Sequence, residues 1–150
     1  MLIVEPAHPR SPGPSALIQS SHALMLDLYP PEDNFALDID ALCAPDIHFF
    51  AARDGGQTLG TGALAVRDGY GEVKAMFTAP EARGKGVAAA LLRQLEDQAR
   101  SLDLSQIKLE TGEELAEAVR LYERHGFNRC DAFGDYQPNQ FSIFMEKNLT

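Results

Sequence analysis

Apolar and polar positions along the chain change period several times, and each change marks an element. Residues 2–4 (LIV) suit a short first strand, and the proline-rich stretch 6–14 can continue neither a strand nor a helix interior. Ser15 is placed to cap a helix over residues 16–29, in which Leu17, Leu24, Met25 and Leu28 fall near one face. Pro30 and Pro31 stop that helix, and residues 34–45 read as a short helical turn or loop. Strand patterns then cover 46–54, 57–68 and 71–80, separated by Gly55-Gly56 and Asp68-Gly69, which predicts an antiparallel meander.

After Pro80 the period lengthens. Val87, Leu91, Leu92, Leu95 and Ala99 recur at helical spacing through about Ser101. Residues 106–111 (QIKLET) return to a strand pattern, and 114–125 form a second amphipathic helix ended by Gly126. Residues 127–133 and 140–147 read as two closing strands around the loop 134–139 (GDYQPN). The order predicts an α/β (α+β) fold: one mixed sheet with helices packed on it.

The length of 150 residues fits a single domain over 1–150, and 45% hydrophobic residues allow a sizeable core. No stretch approaches the ~20 apolar residues of a membrane span, and no basic segment leads into an apolar run at the N-terminus. The expected compartment is the cytoplasm. The two cysteines, Cys43 and Cys130, suit no metal motif, and the four histidines lie far apart, so no metal is expected.

The formal net charge of −9 argues against nucleic acid or an anionic membrane as partner. A phosphorylated ligand is compatible only where cations gather, and they do so at Lys74, Arg83, Lys85 and Arg93. The segment Glu81-Ala82-Arg83-Gly84-Lys85-Gly86-Val87-Ala88 follows a strand and opens a helix. Its glycines allow a tight turn, and the free N–H groups and positive dipole of a helix start make a cradle for pyrophosphate. The spacing fits neither the dinucleotide fingerprint nor a P-loop.

Arg83-Gly84-Lys85-Gly86-Val87-Ala88 resembles the Arg/Gln-x-x-Gly-x-Gly/Ala acetyl-CoA signature of the GNAT N-acetyltransferases. The likeness runs over about residues 70–128 and includes GEVKAMFTAP, ALLRQLEDQAR, KLET and AVRLYERHGF. A narrower likeness, through ALDIDAL, APDI, LETG and FGDY, is to an uncharacterised bacterial subgroup. The resemblance implies the acyl-CoA N-acyltransferase fold. That fold has a mostly antiparallel sheet of about six or seven strands, splayed between the fourth and fifth, with about four helices.

It also implies acetyl-CoA as co-substrate and acetyl transfer to an amine. Arg83, Gly84, Lys85, Gly86, Val87 and Ala88 would hold the diphosphate, and the backbone of Met76, Phe77 and Thr78 would pair with the pantetheine arm. Tyr122, in Leu-Tyr-Glu-x-x-Gly-Phe, matches the general acid for the departing thiolate. Glu110 is the candidate base, with Glu72 as the other carboxylate near the splay. Many members carry an asparagine early in the fourth helix, where this chain has Leu115.

Acceptor-site candidates are Tyr29, Asp135 and Tyr136, with His22, Asp27 and Asp38 behind them. A small amine is the expected acceptor. A peptide or protein amine, or a non-catalytic acetyl-CoA-binding role, are the other readings. The closing strand 140–147 also offers a way to pair in a homodimer.

Overall fold

The computed structural model describes residues 1–149; Thr150, the last position of the expected domain, lies outside the described residues. The elements are β1 (Leu2–Pro6), α1 (Pro12–Leu28), α2 (Ile39–Leu42), β2 (Ile47–Asp54), β3 (Gln57–Val66), β4 (Gly71–Thr78), α3 (Val87–Ser101), β5 (Gln106–Gly112), α4 (Ala116–Arg124), β6 (Asn128–Arg129) and β7 (Ser142–Asn148). They build a seven-stranded sheet in the order β1-β2-β3-β4-β5-β7-β6. All neighbours are antiparallel except β4 and β5, which run parallel.

Two elements differ from their sequence patterns. Helix α1 begins at Pro12 with Ser11, not Ser15, at the N-cap. Prolines 12 and 14 fall in its first turn, where a missing N–H costs no intrahelical bond, so they open the helix instead of excluding it. The strand expected over 127–133 shrinks to β6, because the chain leaves the sheet after Arg129 and runs as irregular backbone to β7. Strand β7 lies between β5 and β6, and β6 pairs only with its Met145 and Glu146, so among the described residues most of that edge has no strand beside it.

Alternation along the strands sorts side chains into two layers. Phe50, Leu64, Val73, Ile107 and Leu109 face α3 and α4, packing with Leu91, Leu92, Leu95 and Val119. Phe49 and Ala63, the neighbours of Phe50 and Leu64, pack instead with Ile18 of α1 and Leu42 of α2. Among the described residues no helix is long and apolar enough to cross a membrane.

The parallel contact between β4 and β5 is brief. It comprises only the pairs Gly71↔Ile107 and Glu72↔Lys108. Beyond them β4 continues to Thr78 and β5 to Gly112 without pairing, so the sheet opens into a V.

Candidate active site

One lip of the V is β4. Its register with β3 jumps from Thr61↔Phe77 to Ala63↔Lys74, so Ala75 and Met76 together stand against Gly62. This is a β-bulge, and Ala75 sits at its centre with φ +55. A non-glycine residue in that region costs about 1–3 kcal/mol and persists only where neighbours hold it. Thr61 does so by donating its hydroxyl to the Ala75 carbonyl at 2.7 Å. Gly62 leaves room for Met76, since a Cβ there would lie 2.8 Å from Met76 Sδ. With no strand beside them, the backbone groups of residues 74–78 on the β5 side have no sheet partner, an open edge that an extended amide-bearing ligand can complete.

At the far end of β4 the chain turns through Pro80–Ala82 into α3. Gly84 (φ +79) and Gly86 (φ +78) take left-handed conformations, and Gly86 is the N-cap of α3. The first intrahelical bond runs from the Ala90 N–H to the Gly86 carbonyl, which leaves the preceding N–H groups free of helical partners. A Cβ on either glycine would meet nothing within 4 Å, so the loop borders open space. Residues 83–86 are exposed, while the Val87 side chain is buried in the core and pins the loop from below. The turn thus offers N–H groups, a helix N-terminus and two exposed cations, Arg83 and Lys85, which fits a diphosphate.

A cleft fills the V between these lips. Its walls include Met25 and Tyr29 from α1 and its end, Phe35 from the strap that follows, Val73, Lys74 and Met76 from β4, Glu110 from β5, Leu115 and Tyr122 from α4, and Phe141 and Ser142 at the start of β7. Tyr122 is 5% exposed and packs edge-on against Phe127 at 5.6 Å. Burial, and secondarily the charge of Glu110, push its phenol far above the ordinary value, so it stays protonated at every working pH. Glu110 is also pushed up, first by burial, with Glu72 adding to the shift; the Ser142 hydrogen bond at 2.7 Å and the charge of Lys74 oppose it.

Glu72 stands apart from this pair. It is 3% exposed and tied to Arg67 at 3.2 Å and to the Tyr136 hydroxyl, which donates to it at 2.5 Å. Tyr136 reaches the site through that bond and through Lys74, which donates to its hydroxyl at 3.0 Å. Asp135 does not. Gly134 (φ +58) turns the loop so that Tyr136 goes inward and Asp135 stays exposed.

Phe77 and Thr78 continue the open edge of β4 but do not line the cleft. His22 bonds the Leu37 carbonyl at 2.9 Å, Asp38 caps α2 through the Ala41 N–H, and Asp27 is exposed. Lys74 leaves the cationic group in which the sequence placed it. It points into the cleft and donates to the Phe35 carbonyl at 3.1 Å. The sequence also gave no role to Ser142 or to Asn139, which bonds it; only the fold brings them to Glu110.

The model of the acetyltransferase (GNAT) family matches residues 16–127. An IAA acetyltransferase of Azospirillum brasilense is 45% identical over 135 residues, covering 89% of this chain and 88% of its own. The crystal structure of an acyl-CoA N-acyltransferase from Klebsiella pneumoniae superposes with a TM-score of 0.83 at 33% identity, over 100% of this chain and 99% of the other. A GNAT acetyltransferase from Elizabethkingia anophelis with acetyl-CoA bound shares the fold, with a TM-score of 0.71 at 15% identity over 98% of this chain and 97% of that one.

Proposed function

The chain belongs to the GNAT family of acetyltransferases, and within it we propose that Glu110 and Tyr122 transfer acetyl from acetyl-CoA to the amine of a small molecule seated in the β4–β5 cleft. Acetyl-CoA supplies a thioester whose carbonyl carbon bonds the amine nitrogen while its C–S bond breaks. The open edge of β4 at Met76–Thr78 binds the pantetheine amides, and the loop Arg83–Ala88 holds the diphosphate. Glu110 takes a proton from the attacking amine, a task suited to a carboxylate whose proton affinity is raised by burial. Tyr122 gives its phenolic proton to the departing sulfur. A phenol is a weaker acid than a thiol, so that transfer needs close placement in a dry site, which a nearly buried hydroxyl provides.

The observation that carries this reading is the convergence of Glu110 and Tyr122 on one cleft that opens where β4 lacks a strand partner. Closure at the acceptor end favours a small molecule over a protein. The strap after α1 and the loop before β7 meet over it, with the Phe35 and Tyr136 rings edge-on at 5.2 Å. The name of the Azospirillum relative points the same way.

Thiol release from acetyl-CoA, followed over a panel of amines with wild type and Tyr122→Phe, tests the reading. Turnover is expected with at least one amine and a fall of ~10²- to 10⁴-fold in the variant. Tight coenzyme binding without turnover on any amine would instead indicate a sensor.

A further inference from the structure

We propose that Lys74 is the anchor for a carboxylate on the acceptor, so that the amine acetylated here belongs to a free amino acid. The proposal rests on the reading of Glu110 as the amine end of the site. The last β4–β5 pair is Glu72↔Lys108, which puts Lys74 and Glu110 level with each other two residues on, on opposite lips of the V. Residues two apart in a strand share a face, so Lys74 stands on the face of Glu72 and Glu110 on that of Lys108. Both line the cleft.

The Lys74 side chain is 9% exposed, and burying an ammonium is costly unless anions or dipoles repay it. Its hydrogen-bond acceptors are two neutral oxygens, the Phe35 carbonyl and the Tyr136 hydroxyl. The nearest carboxylate, Glu72, lies at 3.5 Å and is shared with Arg67. Arg67 has a second carboxylate in Asp46 at 3.6 Å, whereas Lys74 makes neither of its hydrogen bonds to a carboxylate and keeps its ammonium at the wall of the cleft.

Lys74 is also the one cation among the described residues that line it, against the carboxylates Asp33 and Glu110. An acceptor with its amine at Glu110 and a carboxylate at Lys74 matches both charges, replacing the Phe35 carbonyl on the ammonium. A second sign of a polar ligand is the Tyr29 hydroxyl in the same cleft. It is buried and has no partner at hydrogen-bonding geometry among the described residues, although the Glu114 backbone lies near it. Met25, Phe35 and Phe141 leave an apolar wall for the amino acid side chain.

The test compares L-methionine, L-leucine and L-phenylalanine with their carboxamides. It reads kcat/KM and calorimetric binding to the coenzyme A complex, for wild type, Lys74→Met and Lys74→Arg. Wild type is expected to favour the acids by ~10- to 100-fold, the worth of a charge-assisted hydrogen bond. Lys74→Met brings the acid-to-amide ratio towards one, chiefly through KM, and Lys74→Arg restores part of it. A side chain that only pins the strap would lower acid and amide alike and leave the ratio unchanged, and that result overturns the proposal. So does a wild-type preference for the amides, which would point to a peptide N-terminus. Acids that bind in a Lys74-dependent way without being acetylated would uphold the anchor and overturn the roles of Glu110 and Tyr122 alone.

Discussion

The Ser142 hydroxyl donates to Glu110 Oε2 at 2.7 Å, and Asn139 fixes the direction of that bond. Asn139 Nδ2 donates to Ser142 Oγ at 2.9 Å, so the serine proton is turned towards the carboxylate. Asn139 is itself held by the Phe141 and Ser142 N–H groups, at 2.8 Å and 2.9 Å on its Oδ1. The loop before β7 therefore orients the carboxylate to which the base role is assigned.

A hydrogen bond to the charged form lowers a carboxyl pKa, and here the Ser142 bond opposes the upward push of burial. Removing it in Ser142→Ala raises the Glu110 pKa further. Since the base is lost on protonation, the acidic limb of the kcat/KM–pH profile moves to higher pH, and Asn139→Ala moves it the same way by less. A limb in the same place for both variants would count against Glu110 as the group it reports.

Glu110→Gln separates activity from stability. It should cost ~10²- to 10⁴-fold in kcat/KM, the range for a general base. The folded protein holds the Glu110 pKa above its unfolded value, so the group favours folding fully below the unfolded pKa, and that contribution is lost as pH rises through the folded pKa. The always-neutral glutamine escapes this loss. Thermal melts should show Glu110→Gln the more stable protein at about pH 8, with the gap closing as pH falls towards about 4, near the unfolded carboxyl value. A variant less stable than wild type throughout would contradict the burial argument.

Gly86→Val tests the cradle. A side chain there meets no protein atom within 4 Å, so the unliganded protein bears only the strain of a β-branched residue at φ +78, about 1–3 kcal/mol. The same space is the one assigned to the diphosphate. Calorimetry should find coenzyme A affinity reduced by at least ~10²-fold, which corresponds to about 2.7 kcal/mol, while the protein still unfolds cooperatively. Unchanged affinity would move the diphosphate elsewhere.

The sequence made the β2–β3–β4 meander and the glycine loop legible because both are local. Period-2 runs, tight turns and the Val87–Ala99 stripe lie within single elements. The bulge at Ala75 was not legible. Alanine gives no sign of a positive φ, and the conformation is imposed from β3 by Thr61 and Gly62. Lys74 looked like part of a phosphate-binding group because it lies near Arg83 in sequence, but strand alternation sends it to the Glu72 face, away from the loop. Ser142 and Asn139 act across separations of 32 and 3 residues, and only the pairing of β5 with β7 joins them to Glu110.

Gly112 and Tyr29 offer a last test, of how the cleft keeps its shape. A Cβ on Gly112 would lie 1.7 Å from Tyr29 Oη and 2.4 Å from Cζ, so Gly112→Ala must evict the ring. The ring has nowhere easy to go: it is 7% exposed and packs edge-on against Phe141 at 5.8 Å. Overpacking of this kind costs about 1–3 kcal/mol and should displace both the end of α1 and the start of β7. Tyr29→Leu removes the obstructing hydroxyl, so the double variant should be less destabilised in urea than the sum of the two single changes, with coupling above about 0.5 kcal/mol. Strict additivity would mean that the tyrosine does not rest on Gly112. In that case the α1 wall of the acceptor site would have to be held by other contacts.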